Sequence, residues 1–280
     1  MLPPDGLLVC PVCHAPLATA GRTMCCAAGH AFDIARQGYV NLLPGGPHAT
    51  TGDTPEMLDA RTTFLAAGHF APLTSAIAGA VADAAAGVDG VIVDVGAGIG
   101  YYLAAALEGL PGRTGVALDL SKHAARRAAR AHPAVVSVVC DAWAGLPVAD
   151  GATAVALSVF APRNPTEFAR ILGPRGALVT ATPRSEHLRE LVEPLGLVTV
   201  EPEKDERLGT ALAGYFRRDS TRAVSAVLAL SRVDVSALVM MGPSAHHIDP
   251  QVLASALDGL PEPVPATLAV SVTTWFRGTP

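Results

Sequence analysis

Apolar and polar positions follow three different rhythms along the chain. The first 44 residues read as short strands and turns with no sustained period. Residues 45–56 are dense in Gly, Pro, Thr and Asp and predict a linker. Met57, Leu58, Phe64 and Leu65, then Leu73, Ile77 and Val81, recur at helical spacing. Beyond residue 90, short apolar runs alternate with helical segments, and residues 91–95, 115–118, 135–139, 153–159 and 177–182 read as strands. That alternation predicts a parallel sheet covered by helices on both faces. Segments 222–230 and 267–276 are longer, and the second partly alternates as an antiparallel edge strand would. The pattern therefore divides the chain into a small domain (1–44), a linker (45–56) and a large α/β domain (57–280) with an antiparallel last strand.

Composition narrows the class. Half of the 280 residues are apolar, but Asp, Arg or His interrupts each apolar stretch before it reaches the length of a bilayer. The N-terminus lacks a basic segment followed by an apolar core, so a cytoplasmic location and no membrane partner are expected. In a reducing compartment a metal site explains cysteines better than disulfides do. Net charge is −5, a poor match to a nucleic-acid binder at first sight. The distribution changes that picture: between Arg113 and Arg189 there are ten Arg or Lys against five Asp or Glu. Lys122, Arg126, Arg127 and Arg130 account for much of this excess, and a solvated helix face would explain them equally well.

Chemistry enters at Val91-Ile92-Val93-Asp94-Val95-Gly96-Ala97-Gly98-Ile99-Gly100, a buried strand running into glycines and then into a helix over 101–110. A nicotinamide fingerprint would place its third glycine at 101, where this chain has Tyr101. Glycines at 96, 98 and 100, with an acid two residues before the first, suit S-adenosylmethionine instead. That cofactor carries a sulfonium and an amino acid in place of a pyrophosphate, so Asp94 stabilises it rather than repelling a phosphate. Asp119 ends the second strand, where a carboxylate can accept from ribose hydroxyls, and Asp141 ends the third, facing the adenine. A helix N-cap would explain any one of these acids, but not all of them at successive strand ends. The expected cofactor contacts also include Ala97, Tyr101, Tyr102, Leu120 and Ala142, with His69 closing over the pocket. The predicted fold is the class I, Rossmann-like methyltransferase sheet.

Cys10-Pro11-Val12-Cys13 followed by Cys26-Ala27-Ala28-Gly29-His30 has the spacing of a tetrahedral zinc site. Four protein ligands leave no open position, so the metal is expected to be structural. Cys25 competes for the third place and His14 for the fourth; Cys26 and His30 are preferred. Some forty residues need such a metal to hold a fold.

Together these residues resemble the RlmA-type 23S rRNA (guanine-N1)-methyltransferases, and within them the tylosin-resistance branch. The likeness runs nearly end to end. It includes the knuckle, Gly29-His30-Ala31-Phe32-Asp33, Gly38-Tyr39-Val40-Asn41-Leu42-Leu43, Ala67-Gly68-His69-Phe70-Ala71-Pro72-Leu73, Leu118-Asp119-Leu120-Ser121-Lys122, Val159-Phe160-Ala161-Pro162-Arg163-Asn164-Pro165, Thr180-Ala181-Thr182-Pro183 and Met241-Gly242-Pro243-Ser244. The resemblance implies zinc on Cys10, Cys13, Cys26 and His30, and a small domain that helps hold a 23S rRNA hairpin. It also implies a homodimer and methyl transfer to N1 of one guanine near the peptide exit tunnel, where the methyl group impairs macrolide binding. Members of the family carry a small polar residue in place of Asp141.

Sulfonium methyl transfer is an in-line displacement, so positioning is expected to dominate catalysis. Acceptor-side candidates follow the fourth and fifth strands, at the carboxyl edge of the sheet. Phe160 is expected to stack on a flipped base, Asn164 to read its edge, and His187 to relay the N1 proton. Phe160-Ala161-Pro162 is not the motif of enzymes that methylate exocyclic amines. Arg163, Arg126 and Arg127 are expected to meet phosphates. A small-molecule methyltransferase of natural-product biosynthesis is the main rival, and a non-catalytic RNA-binding protein the second. The zinc knuckle argues against the first, and the intact Asp94, glycine loop and Asp119 against the second.

Overall fold

The computed structural model describes residues 1–43, 52–197, 199 and 204–278. The expected linker 45–56 therefore lies mostly outside the described residues. The chain opens with a three-stranded antiparallel sheet, β1 (Leu17–Ala20), β2 (Thr23–Cys26) and β3 (Ala31–Asp33), followed by β4 (Tyr39–Asn41). Two helices come next, α1 (Pro55–Ala66) and α2 (Ala71–Ala85). Pro at the first helical turn and the Thr54 hydroxyl accepting from Met57 N–H start α1.

The alternating segment then runs β5 (Val91–Val95), α3 (Tyr101–Glu108), β6 (Gly115–Asp119), α4 (Lys122–Ala128), β7 (Val135–Val139), β8 (Thr153–Val159), α5 (Pro165–Ile171) and β9 (Leu172–Pro183). The C-terminal part adds α6 (Arg189–Leu195), α7 (Lys204–Leu212), β10 (Phe216–Leu230), α8 (Arg232–Met240), α9 (Pro250–Asp258) and β11 (Val264–Arg277). The large sheet has the order β10-β11-β9-β8-β5-β6-β7-β4. Strands β7 and β8 are buried at every residue, as continuous apolar runs in a sheet covered on both faces should be.

Two features depart from the sequence reading. β4, expected within the small domain, pairs parallel with β7 and forms one edge of the large sheet. The N-terminal ribbon is also tied to the large domain by Val9 N–H donating to the Pro147 carbonyl and Ala149 N–H to the Leu7 carbonyl. Leu7, Leu8, Leu17 and Met24 share one apolar cluster with Val93, Val116 and Val138. The second departure is β11, which is antiparallel to β9 as expected but interior, because β10 covers its other side. Polar groups on β11 bond to both neighbouring strands: Thr273 meets Thr221 of β10 at 3.1 Å, and Trp275 Nε1 donates to Thr180 of β9 at 2.9 Å.

The β10–β11 hairpin continues past the end of β9, since Pro183 pairs with Val270 while β11 begins at Val264. At strand rise this makes a wall about 20 Å tall beside the carboxyl edge. Among the described residues no single helix is long and apolar enough to cross a membrane.

Candidate functional site

The parallel strands end together, and their loops gather the predicted cofactor residues. Gly96, Gly98 and Gly100 all have positive φ (74°, 55° and 77°), a region open to glycine at little cost. Space demands glycine too: a Cβ on Gly96 would come within 2.5 Å of the Ala161 Cβ. The glycine loop thus touches the loop that follows β8. Asp119 braces it from the other side, accepting from Gly98 N–H at 2.8 Å and from Ser121 N–H at 2.8 Å. Burial pushes the Asp119 carboxyl up, and these two amides work against that shift.

Asp94 lies in β5 just before the glycine loop, 2% exposed, with Oδ1 lacking a partner among the described residues. Burial, and then the nearby Asp119 charge, push its carboxyl up to about 8. A buried acid without a protein cation is the arrangement expected where the cation is the ligand. The amino-acid end of S-adenosylmethionine supplies that charge, so these residues fit the cofactor. Tyr101 and Tyr102 begin α3 and pack edge to face at 5.2 Å, and burial raises the Tyr102 phenol. Leu120 follows Asp119 and is half-buried. Asp141 closes the turn after β7 by accepting from Trp143 N–H at 2.9 Å, and the Ala142 carbonyl accepts from Asn164 Nδ2 at 3.2 Å.

In the ribbon, Cys10, Cys13, Cys26 and His30 bring one ligand atom each to within 4.8 Å of one another. Cys13 Sγ and Cys26 Sγ are 3.7 Å apart, and His30 Nδ1 is 3.5 Å from Cys10 Sγ and 3.4 Å from Cys26 Sγ. A tetrahedron with Zn–S bonds of about 2.3 Å has S–S edges of roughly 3.8 Å, so the donor set fits zinc. Burial opposes ionisation of Cys26, but the His30 amide and ring outweigh it and bring the thiol down to about 6. Strand alternation turns Cys25 away from the cluster, and His14 is outside it as well.

The RlmA N-terminal zinc-ribbon profile matches residues 8–46. A Micromonospora griseorubida protein named as a 23S rRNA (guanine-N1)-methyltransferase is 49% identical, with 95% of this chain and 97% of the relative covered. A Streptomyces fradiae protein named 23S rRNA (guanine(748)-N(1))-methyltransferase is 47% identical, with 95% of each covered. This chain belongs to the 23S rRNA (guanine-N1)-methyltransferase family. At the level of fold alone, it also resembles a chain in the complex of the Haloferax volcanii Trm112 methyltransferase activator with a methyltransferase. That likeness has a TM-score of 0.50 and 18% identity, and covers 82% of this chain and 100% of the other.

The residues expected on the acceptor side sit in or near the loops after β8 and β9. Phe160 is 44% exposed and held at φ 53°, a strained conformation for a bulky residue. Its ring is nearly parallel to that of His187, at 14° and 6.1 Å between centroids. His187 Nδ1 accepts from Ala269 N–H at 3.2 Å, which leaves Nε2 as the protonated nitrogen of the neutral ring. Asn164 is spent structurally, capping α5 at Glu167 N–H and reaching back to Ala142.

Two arginines expected at phosphates are engaged within the protein. Arg163 Nη2 donates to the Ala181 carbonyl at 3.3 Å and to Thr182 Oγ1 at 3.1 Å, while Arg127 pairs with Asp59. Arg126 and Arg130 line, together with Arg127 and the acids Asp59 and Glu108, an open groove of about 810 Å³ between α1, α3 and α4. His69 turns to Asp234, 3.2 Å from Oδ2, and packs on Phe64. Sequence reasoning missed Arg61, which reaches the glycine loop from α1, and Asp53, which pairs with it from the segment before that helix. The only signal was the Met241-Gly242-Pro243-Ser244 motif, whose Met241 carbonyl accepts from Arg61 Nη2 at 2.7 Å.

Proposed function

We propose that this chain transfers the methyl group of S-adenosylmethionine to N1 of one guanine in a 23S rRNA hairpin loop, at the position corresponding to guanine 748 in the name of the Streptomyces fradiae relative. The observation that carries this reading is identity of 47–49% extending through both ribbon and catalytic sheet. A compact acceptor would give no reason to keep a ribbon joined to the large core.

Bound cofactor supplies the electrophilic methyl group, and the protein positions the acceptor against it. Phe160, exposed and fixed by the loop that abuts Gly96, offers a stacking face for an extruded base. His187 holds its proton on Nε2 beside that face, so it donates to guanine O6 and stabilises the anion left as the N1 proton passes to solvent. Arg126 and Arg130 give the RNA backbone a cationic groove. The chain acts as a cytoplasmic homodimer whose product tolerates tylosin-type macrolides, because the added methyl group alters the exit tunnel.

The test is to incubate the protein and cofactor with deproteinised 23S rRNA and map reverse-transcription stops. A stop at one guanine is expected, since N1 methylation blocks Watson–Crick pairing; methylation of small molecules with no rRNA stop would sink the reading. Phe160→Ala should lower kcat/KM for rRNA by about 10- to 100-fold, the usual value of one base–aromatic stack. Cofactor affinity should stay within a few-fold. Arg126→Glu is expected to weaken RNA binding and flatten its salt dependence by about one unit of slope, measured by filter binding between 50 and 200 mM salt.

A further inference from the structure

Arg61 crosses from α1 to the glycine loop and is fixed there from three sides. Its Nη1 pairs with the Asp53 carboxylate, and its Nη2 donates to the Met241 carbonyl at 2.7 Å. A Cβ on Gly98 would lie 2.9 Å from Nη1, so the guanidinium presses on bare loop backbone. The Gly98 N–H of that same backbone donates to Asp119 at 2.8 Å. Asp53 is fixed in turn, its carbonyl accepting from Ser121 Oγ at 2.8 Å. The Arg61 side chain is 24% exposed, so it is half-buried and still reachable from outside the protein.

A surface ion pair does not need three separate elements to hold it. The two bonds above leave other N–H groups of the guanidinium fork available. Asp94, Asp119 and Asp53 bring three carboxyl groups to this region, and Arg61 is a cation whose field reaches Asp119 and Tyr102. The amino-acid end of the cofactor carries both an ammonium and a carboxylate. The acids account for the cationic groups, and a carboxylate among them would be repelled without a positive partner.

We propose that Arg61, held by Asp53 and the Met241 carbonyl, receives the α-carboxylate of the methionyl part of S-adenosylmethionine. Its planar fork suits a carboxylate as lysine does not. This inference rests on the cofactor, which family membership establishes, and is independent of the rRNA reading.

Calorimetry with three ligands tests it. S-adenosylhomocysteine carries the ammonium and the carboxylate, decarboxylated S-adenosylmethionine lacks only the carboxylate, and 5′-methylthioadenosine lacks the amino acid altogether. Arg61→Gln should weaken S-adenosylhomocysteine by about 30- to 100-fold and change the other two by less than about 3-fold. An equal loss for all three ligands would show that Arg61 only braces the loop, and unchanged S-adenosylhomocysteine binding would also overturn the proposal. If Arg61→Gln does not fold, Arg61→Lys carries the same comparison, with an expected loss of about 10-fold confined to S-adenosylhomocysteine. A parallel loss on all three ligands in that variant overturns it equally. No RNA is present, so failure here leaves the acceptor assignment standing.

Discussion

Asp94→Asn is expected to lower affinity for S-adenosylmethionine by about 100-fold while stabilising the cofactor-free protein above pH 7. The two effects have one cause. Asp94 is fully buried, and its carboxyl is pushed from 3.8 up to about 8 in the folded protein, by burial first and by Asp119 second. Between those values the folded chain holds a proton that the unfolded chain has lost. The Asp94 contribution to stability is therefore fully present below about pH 4 and is lost as pH rises through 8. The slope is at most about 1.4 kcal/mol per pH unit. Asparagine is neutral throughout and removes that slope.

A cationic cofactor pulls the other way, because it favours the ionised acid. Binding near pH 7 should release up to one proton, visible as a dependence of calorimetric enthalpy on the ionisation enthalpy of the buffer. Urea unfolding at pH 5, 7 and 8.5 gives the second measurement. A wild-type profile without the downward slope, or an Asn variant that binds the cofactor normally, would refute this role for Asp94.

Removing the zinc ligand Cys26, as Cys26→Ser, is the other change with a large expected effect. A ribbon of three short strands has too small an apolar interior to persist without its metal. Amide exchange in β1, β2 and β3 should accelerate by at least about 100-fold, and rRNA affinity should fall by more than about 10-fold. The damage should travel to residues 146–149, which bond to Leu7 and Val9, but stop before β5, β6 and β8. Glu167 and Arg170 hold that loop from the catalytic side, through Leu146 N–H at 2.7 Å and the Val148 carbonyl at 2.8 Å. Cofactor affinity should consequently fall only a few-fold. Unchanged exchange in β1–β3 after loss of zinc would show that packing against the large core, rather than the metal, holds the ribbon.

The legible parts of this molecule are those with local causes. Strands β5, β7 and β8 occupy the predicted residues, because a continuous apolar run between turn signals has few other solutions. The glycine loop was readable because positive φ and close approach each demand glycine. Four of the cysteine and histidine positions were readable because tetrahedral ligation dictates their spacing.

Less was legible where one residue type serves two opposite uses. Ser271, Thr273 and Thr274 of β11 look like solvent-facing positions, yet they are buried, because β10 and β9 flank the strand on both sides. Arginines present the same ambiguity: Arg163 bonds within the protein, Arg127 pairs with Asp59 at the rim of the groove, and Arg126 lines that groove as well. Asn164 has the chemistry to read a base but is consumed by the start of α5.

Sequence by itself determined the parallel sheet, the cofactor class and the metal ligands, since each is written in contiguous residues obeying a local steric or coordination rule. Tertiary structure alone decided that β4 leaves the ribbon to complete the large sheet. It alone brought Arg61 to the glycine loop and joined it there to Asp53 and to Met241, 180 positions away. Such contacts depend on how separate elements pack, and a side chain carries no mark of its distant partner until packing brings the two together.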